Sequence, residues 1–240
     1  MLKLLETYIE RKYIVEQIGF IGINDKKDLL LNVAKTITKL NRSVLIVDAT
    51  MMQRLRYIVP KVSSNPTYVS EYDGVDVAVG FLNLMQICSY LNMPNLNYDY
   101  VLVDSDNPQT FNSFMIPNSK IIFYTTSYDE FELQKSLEIL ATLRTEINLT
   151  KLIISSDINN KHDDYLNHLL ENYSVKWSNE NVIFPDTDTD RNATLVNQLM
   201  KQISLKNYCS TYKESLEYLV SLILEGVVAQ NDIRKVIRKK

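Results

Sequence analysis

Seven short apolar runs punctuate the chain: QIGFIGI (17–23), SVLIVDA (43–49), VDVAVGF (75–81), YDYVLVD (98–104), KIIFYTT (120–126), KLIISS (151–156) and NVIFPD (181–186). Each is rich in β-branched and aromatic residues and apolar on both alternating faces, as expected of strands covered on both sides, commonly in a parallel sheet. Between them the period becomes helical. Leu29, Leu30, Val33, Ala34 and Ile37 form one stripe, and Phe131, Leu133, Leu137, Leu140 and Leu143 a second. Tyr165, Leu166, Leu169 and Leu170 form a shorter third, and the segment 212–224 is strongly amphipathic. This alternation predicts an α/β fold, a doubly wound, mostly parallel sheet of about seven strands with helices on both faces and right-handed crossovers. No linker, repeat or low-complexity block divides the chain, so it reads as one domain over 1–240. A helix is expected at about 2–12 and a basic tail at about 227–240.

Composition narrows the picture little. Of 240 residues, 45% are hydrophobic and 23% charged, ordinary for a globular protein, and the net charge of -3 gives no global reason to expect nucleic-acid binding. Cys88 and Cys209 lie far apart, which suits a reducing compartment and offers no zinc spacing. The opening MLKLLETYIERK mixes charge through its apolar residues and does not read as a signal peptide. No run approaches the ~20 apolar residues of a membrane span. A cytoplasmic protein is expected. Glycine is scarce, 5 of 240, which matters because phosphate-binding loops use glycine for close backbone approach.

Ligands of open parallel sheets bind beyond the carboxyl ends of the strands. There the runs end in Asn24-Asp25-Lys26, Asp48-Ala49-Thr50, Asp104-Ser105-Asp106, Thr125-Thr126-Ser127, Ser155-Ser156-Asp157 and Pro185-Asp186-Thr187-Asp188. A lysine and several carboxylates on one rim could serve a phosphate and its Mg²⁺.

At this point the chain resembles the ParA/MinD group of deviant P-loop ATPases. NVAKTITKLNRSVLIVD (32–48) looks like the group's first helix and second strand, with a matching number of residues between asparagine and aspartate. YDYVLVDSDNP (98–108) resembles its Walker B strand, KIIFYTTSYDEFELQKSLEIL the next strand and helix, and VIFPDTDTDRNA the turn near its base pocket. The resemblance spans roughly residues 15–224. It implies a P-loop NTPase-like fold, with Lys26 at the Walker A lysine, Asp48 at the catalytic-side aspartate and Asp104 at the Walker B aspartate that serves the metal. It also implies nucleotide contacts from Gly22, Asn24, Asp25, Lys26, Lys27, Pro185 and Asp186.

The loop departs from the group's K-G-G-V-G-K-T/S. In the same frame Ile21 replaces the signature lysine, Ile23 and Asp25 replace two glycines, and Lys27 stands where a hydroxyl should hold Mg²⁺. Thr50 replaces the second aspartate of a D-x-D element. Bulk on the loop obstructs backbone N–H groups, Asp25 repels a polyanion, and Lys27 repels the metal. The expectation is therefore a pseudo-ATPase with a degenerate Walker A loop and no stably bound cofactor. It would act as a dimeric positioning or scaffold protein among the protein partners of a bacterial partition, pilus, secretion or conjugation system. One alternative is a slow ATPase using ATP and Mg²⁺. Another is an adaptor contacting the inner membrane face or DNA through Arg234, Lys235, Arg238, Lys239 and Lys240, over an apolar side of only Ile233, Val236 and Ile237.

Plainer readings stand beside these. Lys26 reads as a solvated lysine in a first helical turn, and Asp25 and Asp28 as favourable N-terminal residues. Asp48 and Asp104 equally suit helix capping. The run Asp186–Asp190 lacks a calcium loop's glycine and distal glutamate and reads as a solvated N-terminal cap. Thr125, Thr126 and Ser127 suit capping of the next helix. His162 and His168 do not read as ligands, and Trp177 reads as packing.

Overall fold

In the computed structural model, which describes residues 15–155 and 160–239, the apolar runs pair into one sheet of eight strands. These are β1 (Glu16–Ile21), β2 (Val44–Asp48), β3 (Tyr68–Tyr72), β4 (Val75–Val79), β5 (Tyr100–Ser105), β6 (Ile121–Thr126), β7 (Ile147–Ile154) and β8 (Val175–Phe184). The described helices are α1 (Lys27–Lys39), α2 (Leu84–Tyr90), α3 (Pro108–Ser113), α4 (Glu130–Leu140), α5 (Asn160–Leu170), α6 (Asp188–Met200), α7 (Ser210–Ile223) and α8 (Gln230–Arg238). The strand order is β3-β4-β2-β5-β1-β6-β7-β8, parallel throughout except for the β3–β4 pair. The helix expected at about 2–12 lies outside the described residues.

The continuous apolar runs are the buried strands. Every residue of β2 and β5 is buried, because helices cover both faces of the sheet. One face packs against α1, α7 and α8 through Leu30, Ile37, Leu216, Val220, Ile233 and Ile237. The other packs against α2 to α5 through Ile87, Phe111, Leu133, Leu140, Leu166 and Leu170. Burial of each such Leu, Ile or Phe side chain contributes about 1.5–3 kcal/mol.

The seven expected strands become eight. The missing one, β3, alternates buried with partly exposed positions, since one face of an edge strand is half open. It turns into β4 through Asp73 and Gly74, both at positive φ, a sequence pair that favours a tight hairpin. Two further boundaries differ. β7 and β8 begin earlier than their apolar runs, at Ile147 and Val175. Phe131, expected in the buried stripe of α4, is 63% exposed, and the buried face of that helix runs instead through Leu133, Ser136, Ile139 and Leu140.

The topology brings the candidate residues together. β5 lies between β1 and β2 in full register, so Asp48 sits beside Asp104 and Phe20 beside Asp104 on the other side. The chain moves from β1 to one side for β2 and to the other for β6, which opens a switch point above β1 and β5.

Candidate functional site

Strand β1 stops where Gly22 takes φ +134°. A Cβ there would lie 2.2 Å from the Thr125 carbonyl oxygen, so only glycine lets the loop pass β6 this closely. The turn brings two loop carbonyls round to one ammonium. Lys26 Nζ donates to the Gly22 oxygen at 2.7 Å and to the Asn24 oxygen at 3.0 Å. It also lies 3.0 Å from Asp104 Oδ1, off the hydrogen-bonding direction and hence as an ion pair. Lys26 is 1% exposed, which corrects the expectation of a solvated lysine. Its counter-charge comes from β5, a strand more than seventy residues away in sequence.

Burial pushes the Asp104 carboxyl up to about 7, against the pull of Lys26 and with added push from Asp48 and Asp106. Burial likewise raises Asp48, resisted by hydrogen bonds from Thr50 and from the Leu55 backbone. Asp48 Oδ1 accepts the Thr50 hydroxyl at 2.6 Å, and Oδ2 accepts Leu55 N–H at 2.9 Å. Asp48 thus organises the turn after β2, as its capping reading requires. Among the described residues no group of three or more His, Cys, Asp or Glu is placed to hold a metal ion.

Asp25 lies at the mouth of the loop. Its Oδ1 accepts the backbone N–H of Lys27, the first residue of α1, at 3.2 Å. Its Oδ2 meets Lys27 Nζ at 2.5 Å and Arg54 Nη1 at 2.7 Å. Lys27 also reaches Asp28 at 3.1 Å. Burial alone would raise the Asp25 carboxyl, but bonding to Lys27 and Arg54 holds it below the usual carboxylate range. An anionic group therefore already occupies the start of α1, where a helix favours one. Arg54 escaped sequence reading because nothing in its spacing marks it; only the turn after β2 carries it to Asp25.

Two further candidates join the mouth of the loop. Pro185 and Asp186, with Asp25 and Lys27, line a cavity of about 460 Å³ between α1, β8 and α6, floored by Phe184, Tyr208 and Tyr212. Lys26, Asp48 and Asp104 are not on its wall. Arg191 clasps Asp186 through two nitrogens, at 2.8 and 2.5 Å. Thr187 caps α6 by accepting Asp190 N–H, but Asp190 is 5% exposed and receives the Cys209 N–H at 2.8 Å. The solvated-cap expectation is corrected for that residue, which ties α6 to α7. Thr126 and Ser127 brace the turn before α4 by bonding Tyr128 N–H and Glu132, but the helix cap expected of Thr125, Thr126 and Ser127 is supplied by Asp129, which accepts Glu132 N–H. Trp177 packs edge-on against Tyr124 with Lys151 over its ring. Three polar groups around the loop are buried without hydrogen bonds: the Asn24 amide, Thr125 Oγ1 and Asp104 Oδ1.

The basic tail is a docked helix. Ile233 and Ile237 of α8 are buried in the core, so its apolar side is covered by the protein itself. Arg234 pairs with the buried Glu217 at 3.0 Å, Arg238 with Glu214 at 3.3 Å, and Lys235 with Asp232 at 2.9 Å. Lys240 lies outside the described residues. No described helix is long and apolar enough to cross a membrane.

An open, mostly parallel sheet with helices on both faces and a loop at its switch point defines a doubly wound α/β fold. Within that class the fold is that of MinD and ParA. The MinD cell division protein of Aquifex aeolicus, in complex with MinC, matches with a TM-score of 0.58 at 14% identity, covering 90% of this chain and 98% of its own. A ParA family ATPase from Chlorobium tepidum TLS matches with a TM-score of 0.59 at 13% identity, covering 85% and 98%. A plasmid partition protein from Borrelia burgdorferi B31, bound to AMPPNP, matches with a TM-score of 0.51 at 12% identity, covering 94% and 99%. No protein-family model and no curated protein matches the sequence.

Proposed function

We propose that this chain is a ParA/MinD-like pseudo-ATPase. It works as a cytoplasmic, dimeric positioning or scaffold protein in a bacterial partition, pilus, secretion or conjugation system. The observation that carries this reading is the Asp25 carboxylate, held by Lys27 and Arg54 on the first N–H of α1. It supplies from the chain the anion that a phosphate would otherwise bring, and it would repel a triphosphate entering beside it. Lys27 adds a cation where Mg²⁺ would need an oxygen donor. The residues present therefore do not fit a Mg²⁺–triphosphate, and no hydrolytic step is derived through one. Partner-dependent action is supported by the MinC-bound state of one structural neighbour.

Calorimetry with ATP·Mg²⁺ tests the first part: no heat of binding is expected, whereas tight binding abolished by Lys26→Ala would overturn it. Sedimentation at micromolar concentration tests the second, where a monomer alone would remove the dimer. A slow Mg²⁺-dependent ATPase is the second reading. It is favoured by the unpaired Asn24 and Thr125 groups, which leave polar capacity beside Lys26 for a ligand.

A further inference from the structure

The opposite end of α1 has the converse electrostatics. Between the last turn of α1, the segment 204–206 and α8 lies a cleft of about 390 Å³, lined by Lys39, Ser204, Leu205, Lys206, Val236, Ile237 and Lys239. Three of these are lysines and none is acidic. One cation would suffice to complement the carboxyl-end dipole of α1; three converge. Among the described residues none of the three has a carboxylate within ion-pair distance, whereas the neighbouring Lys35 is paired with Asp73 at 3.0 Å. Desolvation lowers the Lys39 ammonium, and Lys35 and Lys239 add to it against the pull of Asp73, so the like charges act on one another. The floor is apolar: Leu205 and Ile237 are buried, and Val236 is half-buried.

We propose that this cleft is a binding site for a phosphoryl group carried on a small, partly apolar molecule. A multiply charged phosphoryl group supplies the counter-charge the lysines lack, and the Leu205–Val236–Ile237 floor takes an attached carbon skeleton. The site is concave and small, so it suits a compact ligand better than the rim of a nucleic-acid duplex. A soluble organic phosphate and the headgroup of an anionic phospholipid share this chemistry. The site is independent of the β1–α1 loop and stands or falls apart from the function proposed above.

The test uses the full chain with inorganic pyrophosphate as the soluble probe, in calorimetry at low and raised salt. Vesicles of phosphatidylglycerol, with phosphatidylcholine as control, probe the lipid source by pelleting. The triple variant Lys39→Gln/Lys206→Gln/Lys239→Gln changes only exposed side chains and is expected to fold. Lys61→Gln/Lys135→Gln/Lys176→Gln removes the same charge elsewhere. The expected result is salt-sensitive binding of pyrophosphate or of phosphatidylglycerol vesicles, weakened about tenfold or more in the cleft variant alone. Uptake of pyrophosphate only assigns a soluble phosphate, and retention on the anionic vesicles assigns a lipid headgroup. The proposal is overturned if neither probe binds, if the charge-matched control loses as much, or if Lys26→Ala abolishes binding while the cleft variant keeps it. Retention of a DNA duplex without either probe would overturn it in favour of nucleic acid.

Discussion

The two ends of α1 carry charge in opposite ways. At the N-terminal end, where spacing points to an anion site, the chain has neutralised itself: Asp25 sits on the helix N-terminus between Lys27 and Arg54, and Lys26 is enclosed with Asp104. At the C-terminal end, where the sequence shows only scattered lysines, Lys39, Lys206 and Lys239 meet around an apolar floor with no carboxylate among its described lining residues. A lysine's position in a motif thus says less about ligand binding than whether its charge is already answered within the fold.

The largest way to break this contrast is to remove the enclosed cation. Lys26→Met leaves Asp104 buried without its partner and is expected to cost about 3–5 kcal/mol. Denaturant unfolding at pH 8 should show the full loss, and at pH 5, where Asp104 holds its proton, a smaller one. At the other end, Ile237→Ala opens a cavity under α8 and is expected to cost about 2–5 kcal/mol. The same substitution deforms the wall of the lysine cleft, so pyrophosphate affinity should fall with stability.

A third experiment follows Asp104. Its native value of about 7 lies above that of the unfolded chain, near 3.8, so the native state holds the proton more tightly between them. Its contribution therefore makes stability fall as pH rises through that window, by at most about 1.4 kcal/mol per pH unit. Asp104→Asn removes this slope, and the difference between variant and parent should change with pH from 4 to 7 and be flat above. A constant difference would mean that Asp104 is ionised throughout. The smallest effect sharpens the contrast at its centre. Asp25→Gly removes the built-in anion and should cost only a few tenths of a kcal/mol, since glycine itself is well tolerated at a helix N-terminus. It should also create weak inorganic phosphate binding that the parent lacks, measurable by ³¹P line broadening.

Much of the architecture was legible. The runs that became β1, β2, β4, β5 and β6 are apolar on both faces because two helical layers cover them, and that leaves a pattern in sequence. β3 was missed because an edge strand is half open and its alternation, YVSEY, is weak; the Asp73-Gly74 pair was the readable sign. The candidate site was legible in outline only. The strand ends put Lys26, Asp48 and Asp104 on one rim with other polar residues, but that β5 would lie between β1 and β2 and set Asp104 beside the other two came only from the sheet's strand order. That Lys26 is buried, and that Pro185 and Asp186 line a separate wall with Asp25 and Lys27, was not readable.

By itself, then, the sequence determined seven of the eight strands, the apolar stripes of α1, α4, α5 and α7, and that a loop poor in glycine follows β1. Those properties are local, set by periodicity and by what each backbone position tolerates. The tertiary structure alone decided how the charges pair. Arg54 reaches Asp25 from the turn after β2, Asp104 reaches Lys26 from β5, and three lysines distant in sequence converge beside α8. Coulomb energies depend on separation and burial in space, and neither is written in the spacing of residues along a chain.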